Sequence, residues 1–190
     1  MKKILLALSV AVSASIQAQV VINEYSCSNA NGPTDAFTLR EDWVELYNSG
    51  ASAYDLSGLF LSDNPNNLQK FEIPAGASVP AGGYTLIFFS GRGILSGTQI
   101  HPSFTLTQTK NETIILTSSS GAVIDSITMT KMTQKDHSFG RTTNGAATWS
   151  LFTTPTPNAA NAGAVNYYTA KPIMSVAPGF YTGAQNVTIT

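Results

Sequence analysis

The sequence predicts an all-β fold in which two sheets pack as a sandwich. Two short runs, 20–25 and 42–48, are rich in β-branched and aromatic residues and alternate apolar with polar side chains. In the second run Val44 and Leu46 fall on one face and Trp43 falls on the other. No segment carries a helical period, and turn clusters recur roughly every ten residues, a spacing typical of β-sandwiches.

Short apolar runs between Gly, Pro, Asn and Ser clusters predict the remaining strands. Residues 84–89 are almost continuously apolar, which predicts a central strand covered on both faces. Glycine-rich segments at 75–83 and 91–97 predict loops, and 119–121 predicts a hairpin turn. The other predicted strands span residues 54–62, 70–73, 103–106, 113–118, 123–128 and 149–152, with a final edge strand at 138–142.

Residues 1–18 have the parts of a secretory signal peptide. Lys2 and Lys3 form a basic start, 4–12 is apolar, and 16–18 ends in a small residue. The apolar run is about half of the roughly 20 residues that a membrane-spanning helix needs. We therefore predict export, to the medium or the cell surface, and no transmembrane segment.

The charge pattern disfavours nucleic acid as a partner. Charged residues make up 11% of the chain, against an average of about 25%. Once Lys2 and Lys3 are removed, eight basic and 11 acidic residues remain, a net charge of −3. Because the basic residues are scattered along the chain, they offer no patch that could neutralise phosphates.

The C-terminal part of the sequence predicts a domain boundary and a second, incomplete module. Prolines and small residues over 155–165 have little apolar surface to bury. We expect a sandwich domain at 19–163, a linker at 164–171, and the start of another β-sandwich module at 172–190. The last alternating run has no partner strand in sequence, which suggests a longer parent polypeptide.

Five stretches carry a resemblance to a known family. They are 21–24 (VINE), 42–48 (DWVELYN), 55–63 (DLSGLFLSD), 71–84 (from FEIP to AGGY) and 138–161 (from SFGR to TPNAAN). In this order they resemble the lamin tail domain, which occurs in nuclear lamins and in many exported bacterial multidomain proteins. The resemblance covers about residues 20–163 and implies an immunoglobulin-like β-sandwich of the bacterial exported type.

Two positions depart from the pattern of that family. Leu59 stands where an aromatic residue is usual, and Asn158 stands where glycine is usual. Asparagine also tolerates left-handed backbone, so the resemblance to the fold is kept.

The tail from Pro172 resembles the start of the chitobiase/β-hexosaminidase C-terminal-like (FN3-associated) module. In bacterial relatives such modules often precede a CotH-kinase-like domain. No residue of this sequence carries that domain, so its activity is not assigned to the chain.

The sequence offers no catalytic constellation. His101 precedes a proline, and His137 lies in a polar turn beside Asp136 and Ser138. Neither has the glycines of a nucleophile elbow around it, so both are expected in exposed loops and not in a serine triad. Two histidines and one cysteine are too few for structural zinc. Cys27 excludes an intrachain disulfide; a buried thiol, a free thiol and a bridge to a second chain all stay open.

Acidic residues are the candidates for a binding site. Glu24, Asp42 and Glu45 come close together if the first two strands pair, and carboxylate oxygens are the ligands that Ca²⁺ prefers. The sequence therefore allows a calcium site at these three residues. The alternative is that they form the solvated face of the strands or pair with Arg40 and Arg141.

Two further features concern glycans. Trp and Tyr side chains suit both sugar stacking and core packing; the candidates are Trp43, Tyr47, Tyr54, Trp149, Tyr167, Tyr168 and Tyr181. The tripeptide 125–127 resembles the O-glycosylation acceptor motif of Bacteroidetes-like bacteria, with Ser126 as the acceptor. A plain hairpin strand is the alternative for that segment.

Together these observations predict a non-catalytic, exported immunoglobulin-like module that serves as a structural, adhesion or spacer domain of a larger protein. Its partners would be neighbouring domains of the same polypeptide and a protein or glycan. The alternative is a calcium- or carbohydrate-binding accessory module of an extracellular enzyme or CotH-kinase-like protein. No cofactor other than Ca²⁺ is implied.

Overall fold

The computed structural model of the protein describes residues 19–168 and 174–189, so the predicted signal peptide at 1–18 lies outside the described residues. The described residues form thirteen strands and no helix. In chain order the strands are β1 (Val20–Ser26), β2 (Trp43–Asn48), β3 (Tyr54–Asp55), β4 (Phe60–Ser62), β5 (Phe71–Glu72), β6 (Ser78–Val79), β7 (Tyr84–Phe88), β8 (Ile94–Ser96), β9 (Gln99–His101), β10 (Thr113–Thr117), β11 (Val123–Thr128), β12 (Ser138–Arg141) and β13 (Trp149–Phe152).

Two main sheets and one short ribbon make up an immunoglobulin-like sandwich. The large sheet has seven strands in the order β13-β12-β1-β2-β7-β9-β8, and the small sheet has four in the order β11-β10-β4-β5. Strands β3 and β6 form the ribbon. Neighbouring strands are antiparallel except β7 and β9, which are parallel.

The alternation predicted for the second strand is confirmed. Val44 and Leu46 belong to the main core, which joins buried residues of both sheets. Trp43 points the other way, where it forms a separate buried cluster with Leu86 and Phe88. The large sheet therefore has an inner face against the core and an outer face with its own small apolar cluster.

The predicted central strand and the predicted hairpin are also confirmed. Strand β7 lies between β2 and β9, and its Ile87 packs inward while its neighbours pack outward. Strands β10 and β11 pair across the turn at 119–121. Both predictions rested on local patterns, a continuous apolar run and a short Gly-containing turn.

Several predicted elements differ in the structure. Residues 103–106 form no strand, whereas the predicted turn at 91–97 contains β8, which pairs with β9. The predicted strand over 54–62 is interrupted at Gly58, whose φ of 73° is left-handed backbone that glycine adopts without strain. The predicted loop over 75–83 contains the two-residue strand β6.

The predicted edge strand at 138–142 is wrong in position, because β12 lies inside the large sheet between β13 and β1. Strand β13 is the edge. Val165 forms a bridge to Leu151 of β13, so the chain beyond the sandwich returns to cover this edge.

A β-bulge in β1 decides which side chains reach the outer face. Ile22 is opposite Leu46 and Glu24 is opposite Glu45, so Asn23 is an extra residue in the ladder. A bulge of this kind re-aims the side chains that follow it. Beyond it Tyr25 faces the core, while Glu24 shares the outer face with Glu45.

Residues 174–189 contain a single bridge, between Met174 and Ile189, supported by a backbone hydrogen bond from Ser175 N to Thr188 O of 2.9 Å. The second β module stays a prediction.

Candidate functional site

The most polar buried region lies on the outer face of the large sheet, around Glu24 of β1 and Glu45 of β2. Their Cα positions are ladder partners, and both residues are 0% exposed. Burying a carboxylate costs free energy unless protein donors replace its water. The donors to these two carboxylates therefore define the site.

Glu24 is held by donors from β12 and from residues 153–161, a segment we call the strap. The Ser138 hydroxyl donates to Oε1 of Glu24. The backbone N–H of Thr156 donates to the same oxygen at 3.0 Å, and the Thr156 hydroxyl donates to Oε2 at 2.6 Å. Glu24 thus ties two strands of the sheet to the strap.

Glu45 ties the strap down at a second point. The Asn158 backbone N–H donates to Oε2 of Glu45 at 2.6 Å, and the Asn23 amide donates to Oε1 at 3.1 Å. Asn158 has a φ of 61°, which is the left-handed backbone that glycine would supply at this position.

Asn161 closes the far end of the strap. Its side-chain amide donates to the backbone carbonyls of Asn23 at 3.2 Å and Arg141 at 2.6 Å, and its Oδ1 accepts from the Asn23 amide at 2.8 Å. Its own N–H donates to Oδ1 of Asn144 at 2.9 Å. We call the group formed by Asn23, Glu24, Glu45, Thr156, Asn158 and Asn161 the latch.

Gly140 of β12 makes room for the latch. It is the ladder partner of Glu24, and a Cβ at this position would lie 3.0 Å from Cγ of Glu24 and 3.2 Å from Nδ2 of Asn161. Such contacts are tighter than side chains normally make, so a residue larger than glycine would push the glutamate or the strap away.

Burial changes the protonation of the latch. Desolvation raises the pKa of Glu45 to about 8, and the charge of Glu24 adds to the rise. Hydrogen bonds from Asn23 and Asn158 act in the opposite direction, because they stabilise the carboxylate. Close to neutral pH, Glu45 is therefore a titrating group inside the fold.

The three residues of the predicted calcium site are only partly brought together. Glu24 and Glu45 are ladder partners, whereas Asp42 precedes β2. Burial raises the pKa of Asp42 to about 6, and the charges of Glu41 and Glu112 add to the rise. Among the residues that the structure describes, no three Asp, Glu, His or Cys side chains form a group that could hold a metal ion. The calcium hypothesis stays a prediction.

The alternative predicted for these carboxylates is wrong for Glu24 and Glu45, which are buried. It is also wrong for Arg141, which forms its ion pair with Asp125 at 2.8 Å. Asp125 lies on β11 of the small sheet and also accepts a hydrogen bond from Ile22 N at 2.7 Å, while Arg141 Nε donates to Ile22 O at 2.7 Å. The pair connects the two sheets beside the bulge.

Ser126, the predicted glycosylation acceptor, lies on β11 and is exposed. Strand β11 is an edge strand of the small sheet. Glycosylation of Ser126 stays a prediction.

His101 is not in an exposed loop, contrary to prediction. It lies on β9, is 0% exposed, and stacks against Phe88 with 6.0 Å between ring centroids. Ser90 Oγ and Asp35 Oδ2 both approach Nδ1, at 3.0 and 4.0 Å. A serine triad needs its serine and its acid on opposite ring nitrogens, so this arrangement is not one.

Asp35 and Arg92 form a second polar cluster, which holds the loop at 27–42 against the sheet. Oδ1 of Asp35 accepts backbone hydrogen bonds from Phe37 at 2.9 Å and from Leu39 at 2.8 Å. Arg92 forms ion pairs of 3.2 Å with both Asp35 and Glu41, and its guanidinium lies 4.6 Å from the centre of the Phe37 ring. We call Asp35, Phe37, Glu41 and Arg92 the loop clamp.

The predicted sugar-stacking aromatics are mostly packed. Trp43 is 1% exposed, and Trp149 stacks on Phe139 with 6.1 Å between centroids. Tyr181, in the tail, is 49% exposed. These contacts favour the core-packing alternative for the two tryptophans.

Cys27 is half-buried, and its Sγ lies 3.5 Å from Sδ of Met129. Burial raises its pKa well above the ordinary value, and the nearby Asp42 and Glu112 add to the rise. A thiol held in its protonated form is a poor nucleophile.

The chain just after the strap is anchored to the sandwich. The Tyr168 hydroxyl contacts Nδ1 of His137 at 2.7 Å and accepts from Gln134 N at 2.9 Å. The Tyr167 hydroxyl donates to Met132 O at 2.6 Å. Together with the backbone hydrogen bond of 2.8 Å from Val165 to β13, these contacts fix residues 165–168, which we call the anchor.

The latch, the loop clamp and the anchor bind parts of the protein to one another. No helix in the described ranges is long and apolar enough to cross a membrane. No curated protein matches the sequence. The family model described as Lamin Tail Domain matches residues 13–131, which is more than half of the chain. The chain belongs to the lamin tail domain family.

Proposed function

We propose that this protein is a non-catalytic structural module of a larger exported protein and that it holds the next part of the polypeptide in a fixed position. The anchor carries this proposal. A flexible spacer would leave the sandwich directly after its last strand, whereas Val165, Tyr167 and Tyr168 each contact the sandwich.

The contacts of the anchor are of several kinds, which supports a fixed exit. The Tyr167 ring packs edge-on against Phe139, with 6.4 Å between centroids, and Lys131 Nζ lies 4.9 Å from the Tyr167 ring centre. Aromatic and cation–π contacts each contribute roughly 0.5–1 kcal/mol. Together with three hydrogen-bonded groups, they restrain a segment whose composition alone would suit a loose linker.

The proposal is tested by heteronuclear NOE measurements on the full chain. We expect the amides of residues 165–168 to be as rigid as those of the strands. The double variant Y167A/Y168A should release them while the strands stay rigid, because it removes both hydroxyls and both rings. Y181A, which removes an exposed tyrosine of the tail, serves as the matched control. Flexible amides at 165–168 in the unmodified protein would refute the fixed exit.

Export belongs to the same proposal and is supported by the sequence pattern of residues 1–18. Mass spectrometry of the protein from a secreting host should find a chain that lacks these residues. A protein that stays in the cytoplasm and keeps residues 1–18 would contradict export. It would not bear on the fixed exit.

The calcium-binding alternative has a direct test. Ca²⁺ takes six to eight oxygen ligands, whereas all four oxygens of Glu24 and Glu45 already accept hydrogen bonds from the protein. A calcium site there would raise the melting temperature in Ca²⁺ relative to EDTA. Equal melting temperatures in the two conditions would remove the alternative.

A further inference from the structure

A cleft opens on the outer face of the large sheet, between the loop at 27–42 and the strap. It has a volume of about 470 Å³, and the 1% exposed Trp43 is among the residues that line it. Pro155 and Pro157 of the strap form one wall, and Asn29 and Asn31 belong to the opposite wall. The cleft therefore lies between the two segments that the latch and the loop clamp hold in place.

The polar groups of the cleft are almost all uncharged. Its lining carries amides, hydroxyls and three proline rings, and Asp136 is the single charged residue among those that line it. Asp136 already accepts hydrogen bonds from Ala30 N at 2.7 Å and from Asn31 N at 2.6 Å. A cleft with one acid and no basic group disfavours phosphate and sulfate groups and suits a neutral ligand.

Several of these polar groups are free to bind. Within the part of the chain that the structure describes, the hydroxyls of Thr153 and Thr154 have no hydrogen-bonding partner, and both residues are exposed. Asn29 is 9% exposed, and its amide nitrogen donates to the carbonyls of Pro33 at 2.8 Å and Glu41 at 2.9 Å. The two bonds fix the Asn29 side chain and leave its oxygen as an oriented acceptor.

The backbone around the cleft is unusual. Three non-glycine residues of the described chain have left-handed φ, and two of them, Asp136 at 60° and Asn158 at 61°, line the cleft. Left-handed backbone is uncommon in non-glycine residues, although aspartate and asparagine adopt it more readily than the others. A smaller cleft of about 200 Å³, which includes Tyr84, lies on the other side of Asn158.

We propose that this outer-face cleft binds a neutral oligosaccharide, with the proline rings against the apolar face of a sugar and the threonine hydroxyls and the Asn29 oxygen on its hydroxyl groups. An oriented amide oxygen and unpaired hydroxyls beside proline rings match a ligand that offers many hydroxyls and no charge. This inference adds a ligand to the module and does not depend on the fixed exit proposed above.

The test is a titration of the ¹⁵N-labelled full chain with four neutral oligosaccharides: cellohexaose, xylohexaose, mannohexaose and chitohexaose. Heparin serves as the charged comparison. We expect saturable shifts of the Trp43 indole N–H and of the amides of Gly32, Thr153 and Thr154 with at least one neutral probe, at a dissociation constant of about 1 mM or tighter. The W149F variant assigns the indole signals, because the chain has two tryptophans.

Two variants locate the site. T153V/T154V removes two hydroxyls from exposed positions and should weaken binding about tenfold. G32A should also weaken it, since a Cβ there would lie 2.5 Å from Oδ1 of Asn29. The control T105V/T130V makes the same change at exposed positions away from the cleft.

Three outcomes would overturn the proposal. One is no shift with any neutral probe up to about 10 mM, the weak limit at which a specific site is still detected. Another is binding that T153V/T154V and G32A leave unchanged. The third is a response to heparin alone.

Discussion

The latch and the loop clamp hold two segments against the outer face of one sheet, and they do so with different electrostatics. The latch buries Glu24 and Glu45 completely and satisfies them with neutral amide, hydroxyl and backbone donors. The loop clamp pairs Asp35 and Glu41 with a cation, Arg92, whose side chain is 26% exposed. The first arrangement contains no cation and is sensitive to protons. The second depends on a partly exposed cation and is sensitive to salt, although the side chain of Asp35 is itself 0% exposed.

The difference predicts that the latch contributes more to the stability of the fold. Removing a buried acceptor leaves its donors without partners and without water, which costs more than loss of a partly exposed cation whose carboxylate partner keeps its backbone hydrogen bonds. The predictions below follow this order, from the largest expected effect to the smallest.

Glu24→Ala should lower the free energy of unfolding by about 3 kcal/mol, because it leaves the Ser138 hydroxyl and the two Thr156 donors unsatisfied. Urea unfolding followed by circular dichroism measures the change. Glu72→Ala, the same substitution at an exposed position, should change it by less than about 0.5 kcal/mol. A loss at Glu24 no larger than the loss at Glu72 would show that the latch does not stabilise the fold.

The raised pKa of Glu45 predicts that stability falls as pH rises. A carboxyl whose pKa is about 8 in the folded state and 4.5 in the unfolded state binds its proton more tightly when folded, so the stability it contributes is lost between these values. The expected loss between about pH 6 and about pH 8 is about 2 kcal/mol. The measurement is the free energy of unfolding across this range.

The window from about pH 7 to about pH 8 isolates Glu45. The lowered pKa of His101 works in the opposite direction, but only below its ordinary value of 6.5, and the pKa of Asp42 is raised only to about 6. E45Q should lower the free energy of unfolding at every pH, because a Gln amide would face the donors of Asn23 and Asn158. It should also flatten the dependence of that free energy on pH in this window, because Gln does not titrate. A slope that E45Q leaves unchanged would contradict the assignment.

The same comparison shows how far the sequence could predict the structure. Local patterns predict β1, β2, β7 and the β10–β11 hairpin. Burial on one or two faces of a strand produces a recognisable pattern of apolar residues at consecutive positions. Two-residue strands such as β3 and β6 carry too few residues for a pattern. Strand β9 joins β7 through a single ladder pair, Ile87 and Ile100, so its place depends on tertiary contacts.

The latch could not be predicted from the sequence for a related reason. The sequence groups Glu24 and Glu45 with Asp42, but the burial of the two glutamates depends on donors at Thr156 and Asn158, more than 100 residues further along the chain. The bulge at Asn23 also reverses the simple alternation of β1. His101 was misplaced because a histidine before a proline reads as a loop, whereas here it ends β9 and packs on Phe88. One detail was anticipated, namely left-handed backbone at Asn158.

Arg92→Ala removes the cation of the loop clamp and should lower the free energy of unfolding by about 1 kcal/mol at low salt. The loss is modest because Asp35 keeps its backbone hydrogen bonds from Phe37 and Leu39. In about 1 M NaCl the difference should shrink, since salt screens exposed charges. Lys70→Ala, which breaks the more exposed pair with Asp63, is the control with a smaller expected loss. An effect of Arg92→Ala that salt leaves unchanged would mean that contact with the Phe37 ring, and not charge, holds the loop.

Asn158→Ala and Asn158→Gly separate the backbone strain of the latch from its hydrogen bonds. The latch uses only the backbone N–H of Asn158, which both variants keep. Alanine should cost about 0.5–1 kcal/mol because it adopts left-handed backbone poorly, whereas glycine should be neutral within about 0.5 kcal/mol. Thermal unfolding of the two variants measures the difference, and Ala159→Gly at the next exposed position of the strap is the control. If alanine and glycine cost the same, the φ of 61° does not constrain the strap.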